Sequence, residues 1–150
     1  MSLETFRERI REGTLIEVVG ASRTEWMVGF LSKKPQAQVG WVEDAFSVFP
    51  TAVEQQGGLL QRIVFFEAGK EVDWTVCTLL RSKVFSFIVV SAKLDVRYSG
   101  GEKKLRRYQL LAEKAGCNVF LLSEHPTSAW CISAQVQSEY SGETRILKQK

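Results

Sequence analysis

The sequence predicts a three-layer α/β domain built on a largely parallel sheet with an antiparallel edge. Three observations predict it. Apolar runs recur along the chain, stretches with helical spacing separate most of them, and the last two runs lie only a few residues apart around Ser141-Gly142. Parallel strands need long crossovers, usually helices, while a turn-linked pair runs antiparallel. At 150 residues, 45% hydrophobic and 25% charged, the chain suits one such domain with a single sheet.

Each element has its own local reason. Residues 2–12 place Leu3, Phe6 and Ile10 at i, i+3 and i+7, a narrow apolar stripe on a short helix that Gly13 ends. Thr14–Val19 is an apolar, β-branched run closed by Gly20, and Thr24–Leu31 is again helical. Gln38–Glu43 predicts a second strand, and Phe46–Gln56 returns to helical spacing before Gly57-Gly58. Residues 62–66 form a third strand, followed after Gly69 by a helix whose Val72, Val76, Leu79 and Leu80 share a face. The run at 84–90, VFSFIVV, is the most apolar in the chain and reads as a central strand buried on both faces. Between Gly100 and Gly116 a helix turns Leu105, Tyr108, Leu111, Ala112 and Ala115 inward and a basic face outward. Cys117–Ser123 is the next strand. Ala129–Glu139 alternates with period two, and Thr144–Lys148 pairs back on it. The single domain thus divides into an N-terminal helix (1–12), a parallel α/β core (13–128) and a C-terminal hairpin (129–150).

Composition narrows the chemistry. Twenty Lys and Arg against 17 Asp and Glu leave a net charge of +3, too little to mark a nucleic-acid binder unaided. No apolar run approaches the roughly 20 residues of a membrane span, and the first residues alternate acids and bases where a signal peptide is apolar. A cytoplasmic protein is expected. Cys77, Cys117 and Cys131 are odd in number, widely spaced and flanked by apolar residues, so buried thiols are expected in place of disulfides or a metal site. The single histidine, His125, precedes Pro126 and reads as a turn residue. Of the four tryptophans, Trp41 belongs to a core strand. Among Trp26, Trp74 and Trp130 at least one exposed interface residue is expected.

Taken in order, GTLIEVVG at 13–20, WVEDAFSVFP at 41–50, RIVFFEAGKE at 62–71, TLLRSKVFSFIVV at 78–90, NVFLLSE at 118–124, and AQVQSEY with TRILKQK across 134–150 resemble a RecA-type ATPase core. Within that superfamily the chain looks most like small RecA-like proteins of bacterial DNA-damage operons, the ImuA and SulA group. The resemblance implies a phosphate loop after the first strand, a magnesium-binding aspartate after the strand at 84–90, and DNA-binding loops after that strand and after Cys117–Ser123.

Departures from the pattern decide the expected chemistry. A phosphate loop needs outward backbone N–H groups, a lysine for the phosphates and a hydroxyl residue for magnesium. Here the stretch is Gly20-Ala21-Ser22-Arg23-Thr24-Glu25-Trp26-Met27. An ungapped match sets Glu25 at the second glycine, Trp26 at the lysine and Met27 at the hydroxyl, so that a carboxylate faces the phosphates and an indole fills part of their space. A gapped match shortens the loop instead. Arg23 reads as a solvated surface residue. Ser91-Ala92-Lys93 stands where the aspartate belongs, and Asp95 comes about four residues late. Glu43 and Asp44 lie near the position of the family's water-activating glutamate but read as ordinary strand-end acids. Glu124 takes the place of a sensor glutamine. With lysine, hydroxyl and magnesium carboxylate missing, phosphoryl transfer has nothing to stabilise its transition state. The expectation is a pseudo-ATPase without a cofactor.

The first DNA loop corresponds to Lys93–Gly101 and keeps Arg97 and Tyr98; the second has contracted to His125–Ser128. Arg97, Tyr98, Lys103, Lys104, Arg106 and Arg107 form a basic segment with one tyrosine, suited to DNA or to a protein partner, and within it only Glu102 opposes the cations. Its plainer reading is the solvated face of a helix. The resemblance implies a protein partner, RecA or a translesion polymerase subunit. A division inhibitor acting on FtsZ and a residual nucleotide-binding ATPase are the alternatives, with weak nucleic-acid binding and self-association left open.

Overall fold

Strands that carry apolar residues on both faces belong inside a layered domain, and the burial pattern follows that rule. All five residues of β1 (Leu15–Val19) and of β2 (Val39–Glu43) are buried, as are the middle three of β4 (Phe87–Ser91) and all but the last of β5 (Asn118–Ser123). A computed structural model describes Phe6 and residues 10–45, 59–92, 101–140 and 143–149. With β3 (Ile63–Glu67), β6 (Ile132–Ser138) and β7 (Thr144–Gln149), these strands form one seven-stranded sheet in the order β3-β2-β4-β5-β1-β6-β7. Every neighbouring pair is parallel except β6 with β7.

Successive side chains on a strand point to opposite faces, and two helical layers collect them. Ile16 and Val18 of β1, Val89 of β4 and Phe120 of β5 meet α1 (Arg23–Ser32) through Met27, Phe30 and Leu31, together with the helical Phe6. On the opposite face Leu15, Ile88, Val90 and Val119 pack beneath α2 (Val72–Ser82) and α3 (Gly101–Ala115). There α2 contributes Val72, Val76, Leu79 and Leu80, the face its spacing predicts, and Cys77 beside them. From α3 come Leu105, Tyr108 and Ala112, with Leu111 and Ala115 partly buried. Ile88, Val89 and Val90 therefore do lie in an inner strand, flanked by β2 and β5, with β1 one strand further on.

The run VFSFIVV starts its strand later than expected. Lys83 adopts a left-handed conformation (φ 57°) that ends α2, Val84 is exposed, and the N–H groups of Ser86 and Phe87 reach the Gln38 carbonyl before pairing with β2 begins. The C-terminal hairpin is an extension of the main sheet, because β6 pairs in parallel with β1. Most of the expected helix at 1–12, the helical stretch at 46–56 and the turn at 141–142 lie outside the described residues. Cys77, Cys117 and Cys131 are buried and form no disulfide with one another. No described helix is long and apolar enough to cross a membrane.

Candidate functional site

In open parallel sheets ligands bind beyond the carboxyl ends of the strands. Here the first such connection, from β1 to α1, is only Gly20-Ala21-Ser22. Gly20 has φ +102°, and a Cβ there would sit 2.2 Å from the Ser138 carbonyl oxygen, so the turn lies directly on the end of β6 and admits only glycine. Its amides are committed inward. Ser22 N–H donates to the Ser138 carbonyl (3.0 Å) and Arg23 N–H to the Gly20 carbonyl (3.3 Å), while Ala21 N–H meets a carboxylate oxygen of Glu139 at 3.4 Å. The other oxygen of Glu139 accepts from the Gln137 side-chain amide (3.0 Å), whose own carbonyl accepts from Arg145 (3.2 Å). A helix N-terminus attracts anions, and this one is faced by an anion of its own chain.

The residues matched to the phosphate loop lie elsewhere than the ungapped match implied. Trp26 and Met27 point into the core: the indole stacks on Phe30 (5.6 Å, 19°) and meets Phe6 edge-on, and Met27 is fully buried. The indole therefore does not fill phosphate space. Glu25 is exposed on the opposite side of the helix, and Thr24 is half-buried. Arg23 is no solvated cation either, since its guanidinium donates to the Gly20 carbonyl at 2.9 Å and braces the turn. A triphosphate with magnesium does not fit this set: the turn is short, the Ala21 and Ser22 amides are used, and a carboxylate stands over it.

The neighbouring strand ends carry two acids with different surroundings. Glu43 is completely buried and accepts from Trp41 Nε1 at 3.3 Å, so it is no ordinary strand-end acid, whereas Asp44 is exposed and caps the Ala45 N–H at 2.9 Å. Ser91 ends β4 half-buried, opposite Glu43 in register. Lys93 and Asp95 fall outside the described residues. Among the described residues no group of three His, Cys, Asp or Glu side chains is placed to hold a metal ion.

Beyond β5, Glu124 and His125 are exposed and the chain turns at once back toward the sheet. Glu17, in the middle of β1 and 1% exposed, explains why. One carboxylate oxygen accepts from Thr127 N–H (2.9 Å) and from Gln135 Nε2 (2.8 Å), and the other from the Ser123 hydroxyl (3.0 Å). Gln135 Nε2 also donates to the Thr127 carbonyl at 2.6 Å. Both polar groups of the Thr127 backbone are thus fixed to the sheet. Burial outweighs these bonds and raises the Glu17 pKa above the usual carboxylate value. Sequence reasoning passed over Glu17, although a lone acid inside LIEVV was a signal of a satisfied buried carboxylate. Nothing comparable pointed to Glu139.

The basic segment is divided by its partners. Arg97 and Tyr98 fall outside the described residues. Lys103 is exposed and Lys104 half-buried on α3. Arg107 pairs with Asp73 of α2 at 2.7 Å, so Glu102 is not the only acid opposing the cluster; fold contact supplies another. Both side chains of that pair are partly exposed, which limits it to about 0.2–1 kcal/mol. Arg106 lies over the Trp130 ring, 5.1 Å from its centre, and donates to Gln109 at 2.5 Å. Under the Asp73–Arg107 pair, burial raises the pKa values of Cys77 and Tyr108. Cys117 is pushed up to about 12 by burial. Neither thiol has the thiolate character that reactivity requires.

No model of a known family matches the sequence, and no characterised protein matches it by sequence. By structure the chain is similar to the RadB recombinase, with a TM-score of 0.76 over 93% of this chain and 83% of that one at 14% identity. That likeness establishes a RecA-like fold: a mostly parallel seven-stranded sheet closed by an antiparallel pair.

Proposed function

We propose that the chain is a non-catalytic RecA-like accessory protein of the bacterial DNA-damage response, acting through contacts with RecA or a translesion polymerase subunit. One observation carries the non-catalytic part. The N–H groups of Ala21, Ser22 and Arg23 are committed to Glu139, Ser138 and Gly20, which takes them away from the outward N–H cradle on which phosphoryl transfer depends. Pinning of Thr127 by Glu17 and Gln135 supports the same reading for strand exchange, because a segment held by both its N–H and its carbonyl is poorly suited to follow a DNA strand. The likeness to a recombinase supports a place among proteins that work beside DNA. The choice of RecA or a translesion polymerase rests on the sequence resemblance to the ImuA and SulA group.

Calorimetric titration with Mg-ATP tests the first part. No heat beyond dilution is expected up to millimolar nucleotide, and a saturable micromolar site would overturn the proposal. Pull-downs with purified RecA, a translesion polymerase and FtsZ test the second. Retention of FtsZ alone would replace the repair role with division control.

A further inference from the structure

On the face that carries α2 and α3, three large apolar side chains remain in solvent among cations. Trp74 of α2 is 64% exposed, Leu110 of α3 is 46% exposed, and Trp130, in the connection from β5 to β6, is 55% exposed. Their order across the layer follows from the contacts. Asp73, next to Trp74, holds Arg107 on one flank of α3, and Arg106 on the other flank covers part of the Trp130 ring. Between these flanks the outward ridge of α3 carries Lys103, Leu110 and Lys114, spaced at i, i+7 and i+11, opposite the buried Leu105, Tyr108 and Ala112. The helix has five cations and two acids. Exposed tryptophan and leucine side chains grouped on one face are costly to leave in water, and tryptophan and arginine are the usual anchors of a protein interface.

We propose that this face docks an acidic amphipathic segment of a protein partner, its apolar side chains on Trp74, Leu110 and Trp130 and its carboxylates toward Lys103, Arg106 and Lys114. The proposal rests on the accessory-protein reading and names where that contact is made. Charge complementarity selects an acidic occupant. Three details select protein over single-stranded nucleic acid. Arg106 already occupies one side of the Trp130 ring, where a base would stack, and Arg107 is neutralised by Asp73; Leu110 offers an aliphatic surface that a phosphate chain does not use.

The test titrates the full chain, by tryptophan fluorescence, with two probes. One is a synthetic helical peptide with Leu and Phe at i, i+3, i+4 and i+7 and Glu at the remaining positions, and the other is a 20-nucleotide oligo-dT. Saturable peptide binding is expected, weakened about tenfold or more by Leu110→Ala and by Trp74→Ala. Only a modest loss is expected between roughly 50 and 200 mM salt. Melting temperatures of the two variants should stay near wild type, since both side chains are exposed. Peptide binding unchanged in both variants would overturn the proposal, and so would tighter, steeply salt-dependent binding of oligo-dT. The Mg-ATP titration is independent of these outcomes, so failure of the docking face and failure of the non-catalytic reading are told apart.

Discussion

Single residues set the character of the candidate site, and Glu17 is one whose protonation couples to folding. Its folded pKa is raised, so the folded state holds a proton that the unfolded chain has already released. Stability must then fall as pH rises from the ordinary carboxylate range through the folded pKa. Glu17→Gln removes that dependence and keeps an acceptor for Thr127 and Gln135. Its melting temperature is expected to match or exceed wild type at pH 7 to 8 and to lack the acid-side rise expected of wild type. Glu17→Leu orphans the Thr127 N–H and one Gln135 donor direction, at about 1–3 kcal/mol for each unsatisfied group. A pH series of thermal melts on the three proteins checks both. Gly20 offers a second test at this scale. Gly20→Ala forces a side chain into φ +102° and against the Ser138 carbonyl, so a loss of about 3 kcal/mol or more is expected in urea unfolding.

At the scale of elements, what was legible followed from periodicity. The strands and α2 and α3 could be read because each buries a face whose spacing is written in the chain: Leu105, Tyr108 and Ala112 on α3, Val72, Val76 and Leu80 on α2. Boundaries were less legible where a turn intervened, as at Lys83, whose left-handed conformation delays β4 until Phe87. The orientation of α1 was misread because alignment to a phosphate loop assigns Trp26 by position, whereas its aromatic neighbours Phe6 and Phe30 assign it by packing. Pairings distant in sequence, Glu139 with Ala21 and Asp73 with Arg107, had no local signal at all. The segment after β5 gives a prediction of its own. Because Thr127 N–H is bonded to a buried carboxylate, its amide should exchange with deuterium markedly more slowly than those of the exposed Glu124 and His125. Equal exchange rates at the three positions would mean that the segment is not held to the sheet.

For the whole molecule, the order of strands decides which positions the fold can spare. Val89 is fully buried in β4, with β2 and β5 on either side and the α1 cluster against its side chain. Val64 belongs to β3, the outer strand of the sheet, and is 48% exposed. The two valines have the same chemistry and the same β-propensity; the more apolar run around Val89 and its inner place in the strand order distinguish them. An aspartate at 89 would be a charge buried without a partner, a cost of several kcal/mol against a total stability of about 5–15 kcal/mol. Val89→Asp is therefore expected to accumulate in the insoluble fraction, and Val64→Asp to stay soluble with a melting temperature within a few degrees of wild type. Circular dichroism melts of whatever remains soluble decide the matter. Equal tolerance at both positions would contradict the inner placement of β4, and with it the register that sets Ser91 opposite Glu43 at the carboxyl end of the sheet.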